Sequence, residues 1–207
     1  MKISNMYLAS IFCIVILTQI NAQETINGNV ATEESIKPLR VGVKIGTPGV
    51  LTLNAEYVTP LLDNRVAPFI DYLSLKYDTD DTEVSYNNFE IGSNVYLSDT
   101  GKGLYAGVSY FSTKSKGTFL DTDFDSGTYT GKADLNFNTL NLKLGAKLGR
   151  VFYFRIEVGY GFGKIPQSVT VRSTETNETS TEEFPEIFGY SENGVLLFNI
   201  GFGFGFL

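Results

Sequence analysis

The C-terminal segment, Val195 to Leu207, reads V-L-L-F-N-I-G-F-G-F-G-F-L, and from Phe198 to Phe206 every second side chain is Phe or Ile with Asn or Gly between. A period of two belongs to a pleated strand; on a helix the same phenylalanines would be scattered around the circumference. The segment therefore predicts a strand with one wholly apolar face and one face nearly bare of side chains. Such a strand needs neighbours on both edges, because its backbone donors and acceptors must be paired.

The rest of the chain offers those neighbours. Leu39, Val41, Val43 and Ile45 alternate with Arg40, Gly42, Lys44 and Gly46 before a turn at Thr47-Pro48-Gly49, and Leu51, Leu53, Ala55 and Tyr57 share the phase of a second strand. Val66 to Tyr77 is a third strand with apolar residues in both phases; placing Val66, Ile70 and Tyr72 outward keeps Asp71 inside. A fourth, about Val84 to Leu97, sets Phe89, Ile91, Val95 and Leu97 against Asn88, Glu90, Gly92 and Asn94, and a fifth runs from Leu104 to Phe111. Leu140 to Leu148 and Phe152 to Phe162 alternate as strictly as the final segment, separated by Gly149-Arg150. With the final segment the count is eight, and 16 Phe, 12 Tyr and 21 Gly in 207 residues suit one all-β domain.

The connections sort by parity. The second, fourth and sixth (59–65, 98–103 and 149–150) are short, whereas the fifth and seventh, residues 112–133 and 163–193, read as long polar loops. If both ends of the chain lie on one side, the long loops share the other side, which is the pattern of a membrane-spanning barrel.

The N-terminus is a separate object. Lys2 precedes an apolar run from Met6 to Leu17, and Ala22 is a small residue at which a leader can be cut, so residues 1–22 read as a signal peptide. Residues 23–38 are a polar lead-in, and 39–207 form the barrel domain. Cys13, the single cysteine, falls inside the leader, so cleavage leaves no thiol for disulfides, metal or catalysis.

Alternation alone does not say which face is wet, because a soluble lipocalin-like binder also alternates. Volume decides. Pointing Phe152, Phe154, Phe162, Phe198, Phe202, Phe204 and Phe206 inward would overfill a lumen that only just holds ordinary side chains, whereas Gly201, Gly203 and Gly205 suit a crowded interior. The apolar face is therefore expected to meet lipid. That leaves Arg40, Lys44, Glu56, Asp71, Glu90, Lys143, Lys147, Arg155 and Glu157 inside, a nearly neutral set, with a mid-height cluster expected at Asp71, Glu90, Lys143, Arg155 and Glu157. The expected fold is thus all-β: an eight-stranded antiparallel up-and-down transmembrane β-barrel preceded by a cleavable signal peptide.

Within the last strand, Asn199-x-Gly201-x-x-Phe204-x-Phe206 resembles the C-terminal signal read by the outer-membrane barrel assembly machinery, although the chain ends in Leu207 rather than an aromatic residue. The whole mature chain resembles the small OmpA/OmpX-like outer-membrane β-barrel (porin-like) family of Gram-negative bacteria. The resemblance implies a non-enzymatic protein of the cell outer membrane, in contact with outer-membrane lipid and, during biogenesis, with that machinery. It would act in envelope structure or in surface interaction with an extracellular partner through residues 112–133 and 163–193; a small pore or solute-binding barrel is the alternative, favoured by interior glycines that could leave a cavity beside Arg155.

Histidine is absent, which removes Ser-His hydrolysis and His-ligated metal, and no cofactor motif is visible. Asp121, Asp123 and Asp125 resemble the opening of a calcium loop, but Lys132 stands where the bidentate Glu belongs, so they are no more than a weak divalent-cation candidate. The net charge of −7, without a basic cluster, argues against nucleic acid as a partner.

Overall fold

The computed structural model describes residues 36–80, 82–124, 127–176, 178–185 and 188–206. The expected signal peptide and most of the lead-in fall outside these residues; 36–38 run as irregular chain into the first strand. Eleven strands and no helix make up the described chain. They are β1 (Leu39–Thr47), β2 (Val50–Tyr57), β3 (Val66–Asp78), β4 (Thr82–Tyr96), β5 (Gly103–Phe124), β6 (Gly127–Gly149), β7 (Phe152–Phe162), β8 (Ser168–Ser173), β9 (Thr179–Glu183), β10 (Tyr190–Ser191) and β11 (Gly194–Phe206).

The sheet closes on itself. Each strand from β1 to β7 pairs antiparallel with the next, β7 pairs with β11, and β11 returns to β1, so eight strands form a ring. The β1–β11 register runs from Leu39 opposite Phe206 to Thr47 opposite Phe198 and seals the edge strands that would otherwise be free to aggregate.

Two segments differ from the sequence expectation. Residues 112–133, expected as a polar loop, continue β5 and β6 as one tall hairpin, in register from Gly103 opposite Lys147 to Phe119 opposite Gly131, with an irregularity before Thr122. The physical reason is that Thr113 to Thr118 (T-K-S-K-G-T) has no apolar phase to read, yet pairs through its backbone with β4 on one side and β6 on the other. Residues 163–193, likewise expected as a loop, carry three short strands outside the ring. β8 pairs with the upper part of β6 and with β9, while β10 folds back on β11. Thr and Ser at alternate positions form such ladders without any burial signal in the sequence.

Interior glycines make room for interior aromatics. A Cβ on Gly42 or Gly203 would collide with Tyr153, and one on Gly145 would collide with Tyr105. Tyr153 and Tyr105 are both buried. Gly203→Val is expected to lower the urea midpoint of unfolding sharply, because its side chain would also strike the Val41 carbonyl of the neighbouring backbone, which cannot step aside. A midpoint equal to that of the unaltered chain would mean that Tyr153 moves freely.

Candidate functional site: the charged interior

Every ring strand except the ends of the tall hairpin sends one phase inward. Arg40 and Lys44 come from β1, Glu56 from β2, Asp71 from β3, Glu90 from β4, Lys143 and Lys147 from β6, Arg155 and Glu157 from β7, and all nine are buried. Five carry positive charge and four negative. Isolated charges in such a place would cost several kcal/mol each, so their contacts decide whether the ring can stand.

Glu56 is the most heavily bonded carboxylate. Its Oε1 accepts from Arg40 Nη1 at 3.1 Å, from the Tyr96 hydroxyl at 2.9 Å and from Lys147 Nζ. Its Oε2 accepts from Asn94 Nδ2 at 2.9 Å and Arg155 Nη2 at 2.7 Å. Further along the axis, Glu90 Oε1 accepts from Lys143 Nζ at 2.8 Å, Asn141 Nδ2 at 3.1 Å and the Ser109 hydroxyl. Lys44 joins the two groups: its Nζ pairs with Asp71, donates to Glu157 Oε2 at 3.3 Å and lies 3.8 Å from Glu90 Oε2. Glu157 accepts from the Tyr105 hydroxyl at 2.7 Å and stands 3.6 Å from Arg155 Nη1.

Aromatic rings pack the remaining space. Lys143 Nζ lies 4.4 Å from the centre of the Phe69 ring and Lys147 Nζ 4.7 Å from that of Tyr153, and the Tyr96 and Tyr105 rings are 5.0 Å apart. Between Lys44, Thr52, Glu90, Phe111, Asn141 and Lys143 there remains a void of about 10 Å³, room for about one water molecule. The space left by Gly201 beside Arg155 is taken by the stems of Lys44 and Arg155, 3.1 and 3.6 Å from where a Cβ would stand. Chemically the arrangement holds charge in place. Among the described residues, each interior carboxylate faces a lysine or arginine.

Asp71, Glu90, Lys143, Arg155 and Glu157, expected from the sequence as one cluster, all lie on this chain of contacts, with Glu90 reaching Arg155 by way of Lys44 and Glu157. The residues that do the linking, Lys44 and Glu56, were legible as inward charges, whereas their depth along the axis was not. In β11, Gly201 faces in, Phe204 and Phe206 face out, and Asn199 stands in register with Gly46 and Glu157. The side chains of Asp121, Asp123 and Asp125 lie outside the described residues, and among those described no group of three or more His, Cys, Asp or Glu could hold a metal ion.

No protein-family model and no curated protein matches the chain. Among solved structures it is similar to CarO of Acinetobacter baumannii, at 15% identity and a TM-score of 0.43, over 82% of this chain and 98% of that one. It is also similar to a major outer membrane protein from Thermus thermophilus, at 13% identity and a TM-score of 0.46, over 81% of this chain and 98% of that one.

Proposed function

We propose that this chain is an integral protein of a bacterial outer membrane, an eight-stranded up-and-down transmembrane β-barrel of the small OmpA/OmpX-like kind. In this reading it is exported by its leader and serves envelope structure or surface interaction without enzymatic activity. One observation carries the reading: the ring is inside out. Its interior is charged and buried, whereas its outer face is an apolar belt on all eight strands. Val43, Leu53, Ile70, Ile91, Val108, Leu142, Val158 and Phe202 are exposed examples, one from each strand of the ring. In water such a belt would far exceed the exposed apolar patches that soluble monomers tolerate.

The belt also has the right height and rims. β7 spans 11 residues, the length of a tilted strand that crosses a bilayer. Tyr57, Phe152 and Phe206 ring the short-turn end, and Tyr72, Tyr110 and Phe162 the tall end, as aromatic girdles do where lipid meets water. The soluble lipocalin-like alternative would need the opposite orientation of Phe198, Phe202 and Phe204. The structural reading is favoured over the pore alternative by the packing of the buried charges and rings, between which, at Lys44, Glu90 and Lys143, there is a void of about 10 Å³. The tall β5–β6 hairpin and the β8–β9 hairpin are the surfaces through which an extracellular partner would be met.

The detergent-refolded chain is expected to migrate differently on gels before and after boiling, to stay with membranes through carbonate washing, and to give no conductance steps in planar bilayers. Release by carbonate would overturn the membrane assignment, and steady conductance steps would overturn the filled interior.

A further inference from the structure

Above the charged interior, at the tall end of the ring, lies a cavity of about 940 Å³. Its walls come from the β1–β2 turn, the inner phases of β4, β5 and β6, and the segments on either side of the β8–β9 hairpin. Tyr86, Leu135, Phe137, Phe184, Phe188 and Tyr190 are among its apolar lining. The space is blind. Phe137 and Thr113 line its lower part, and beneath them the buried Phe111, its ring 6.1 Å from that of Phe137, borders the one-water void among Lys44, Glu90 and Lys143. A solute that enters therefore meets buried aromatic and charged side chains beneath it, and the cavity is shaped to hold it.

The lining selects a class of occupant. Its volume is within the roughly 300–1,000 Å³ of sites that take one small organic molecule, and such sites combine apolar walls with a few polar groups. Here the polar groups are Thr113, Ser115, Gln167, Ser168 and the Tyr86 and Tyr190 hydroxyls, and Glu183 is the single charged residue among the described lining. Burial holds the Tyr190 phenol above its ordinary range, so it remains a neutral donor. Glu183, exposed at the rim and the one charge in a lining that is otherwise neutral among the described residues, disfavours anions and tolerates neutral or positive ligands. At the lip, Phe188 is 95% exposed, the most open large apolar side chain among the described residues, and it gains by being covered.

We propose that this cavity binds a water-borne aromatic compound of small-molecule size, uncharged or cationic, between the aromatic wall of Phe137 and Tyr86 and the lip at Phe188. The site rests on the barrel reading, since it opens at the end of the ring that faces away from the membrane interior.

The chain has no Trp, so a single introduced indole reports from wherever it is placed. Phe188→Trp puts one on the lip at no cost in packing, Phe137→Trp one on the wall, and Phe152→Trp one on the outer belt as a reference for partition into detergent. Each refolded variant is titrated with 4-nitrobenzyl alcohol, (4-nitrobenzyl)trimethylammonium and 4-nitrobenzoate, all quenchers of indole fluorescence. Saturable quenching of the cavity indoles by the first two probes, linear quenching by the anion, and linear quenching of Phe152→Trp by all three are expected. Adding Ser115→Phe, which narrows the cavity between Tyr86 and Leu135, should move the midpoint of the saturable part to higher probe concentration; Glu183→Arg should move the charge preference from the cation to 4-nitrobenzoate and leave the neutral probe saturable. Linear quenching at all three positions, or a saturable part whose midpoint is unmoved by Ser115→Phe and whose charge preference is unmoved by Glu183→Arg, overturns the site. A chain that stays soluble without detergent sinks the barrel reading and the site together, whereas a detergent-dependent, heat-modifiable chain with linear quenching sinks the site alone.

Discussion

Replacing Glu56 with Leu is expected to deprive the chain of its folded, heat-modifiable form. Arg40, Lys147 and Arg155 converge on this one carboxylate, and all are buried with it. Without it the interior holds five positive charges against three negative ones, and three cations lose a partner in a place water does not reach. Removing one member of a buried pair costs about 3–5 kcal/mol, because the other is left uncompensated, and the whole stability of a domain is about 5–15 kcal/mol. Arg155 retains Glu157 at 3.6 Å, but Arg40 and Lys147 have no second carboxylate partner among the ion pairs of the described residues. Asp71→Asn should be milder, since its cation, Lys44, keeps Glu157 at 3.3 Å. Urea titration in lipid vesicles, read by gel mobility, checks the order. The double variant Glu56→Leu with Arg155→Leu should lose less than the sum of the two single changes, as coupled residues do. A Glu56→Leu chain within about 1 kcal/mol of the unaltered one would mean that the carboxylate is dispensable, far below the cost of a broken buried pair.

The same residue marks where sequence reading stopped. Strand phase alone turns Glu56 inward, since Leu53 and Tyr57 share the opposite, exposed face. Its role depends on depth, and depth is set by stagger around the whole ring. Glu56 meets Arg40 across one register pair, but meets Arg155, 99 residues away, only after the ring has closed. No local pattern encodes that distance. β7 and β11 were legible because one face meets an apolar surrounding and the other a crowded interior, so every second residue is constrained. The upper parts of β5 and β6 carry no such contrast: Lys114, Lys116 and Asp134 face out, while Ser115 and Leu135 line the cavity. Their strand state is fixed by backbone pairing between neighbours, which composition does not reveal. The cavity was illegible for the same reason, since most of its walls come from segments that read as loops.

Phe206→Asp is expected to separate assembly in the cell from folding in lipid. Phe206 faces out at the short-turn end, opposite Leu39 on β1. There a charge costs about 0–1 kcal/mol, far less than at the centre of a membrane, so the purified variant should still refold into vesicles and keep its heat-modifiable migration. If the Asn199-x-Gly201-x-x-Phe204-x-Phe206 pattern is read by the assembly machinery, the same variant should fail to reach the outer membrane in cells. Gly201→Arg is the contrasting case. A Cβ there stands 3.0 Å from the Val43 carbonyl and 3.1 Å from the Lys44 stem, and the new guanidinium would add a sixth cation to an interior that balances five against four. It should therefore fail in vesicles and in cells alike, from packing and charge rather than from recognition. Membrane fractionation of cells expressing each variant, set beside vesicle refolding of the purified chains, distinguishes the two causes. Phe206→Asp in the outer membrane at the unaltered level would remove the motif as a recognition element and leave β11 as the strand that closes the ring; its failure in vesicles would assign the defect to the strand itself.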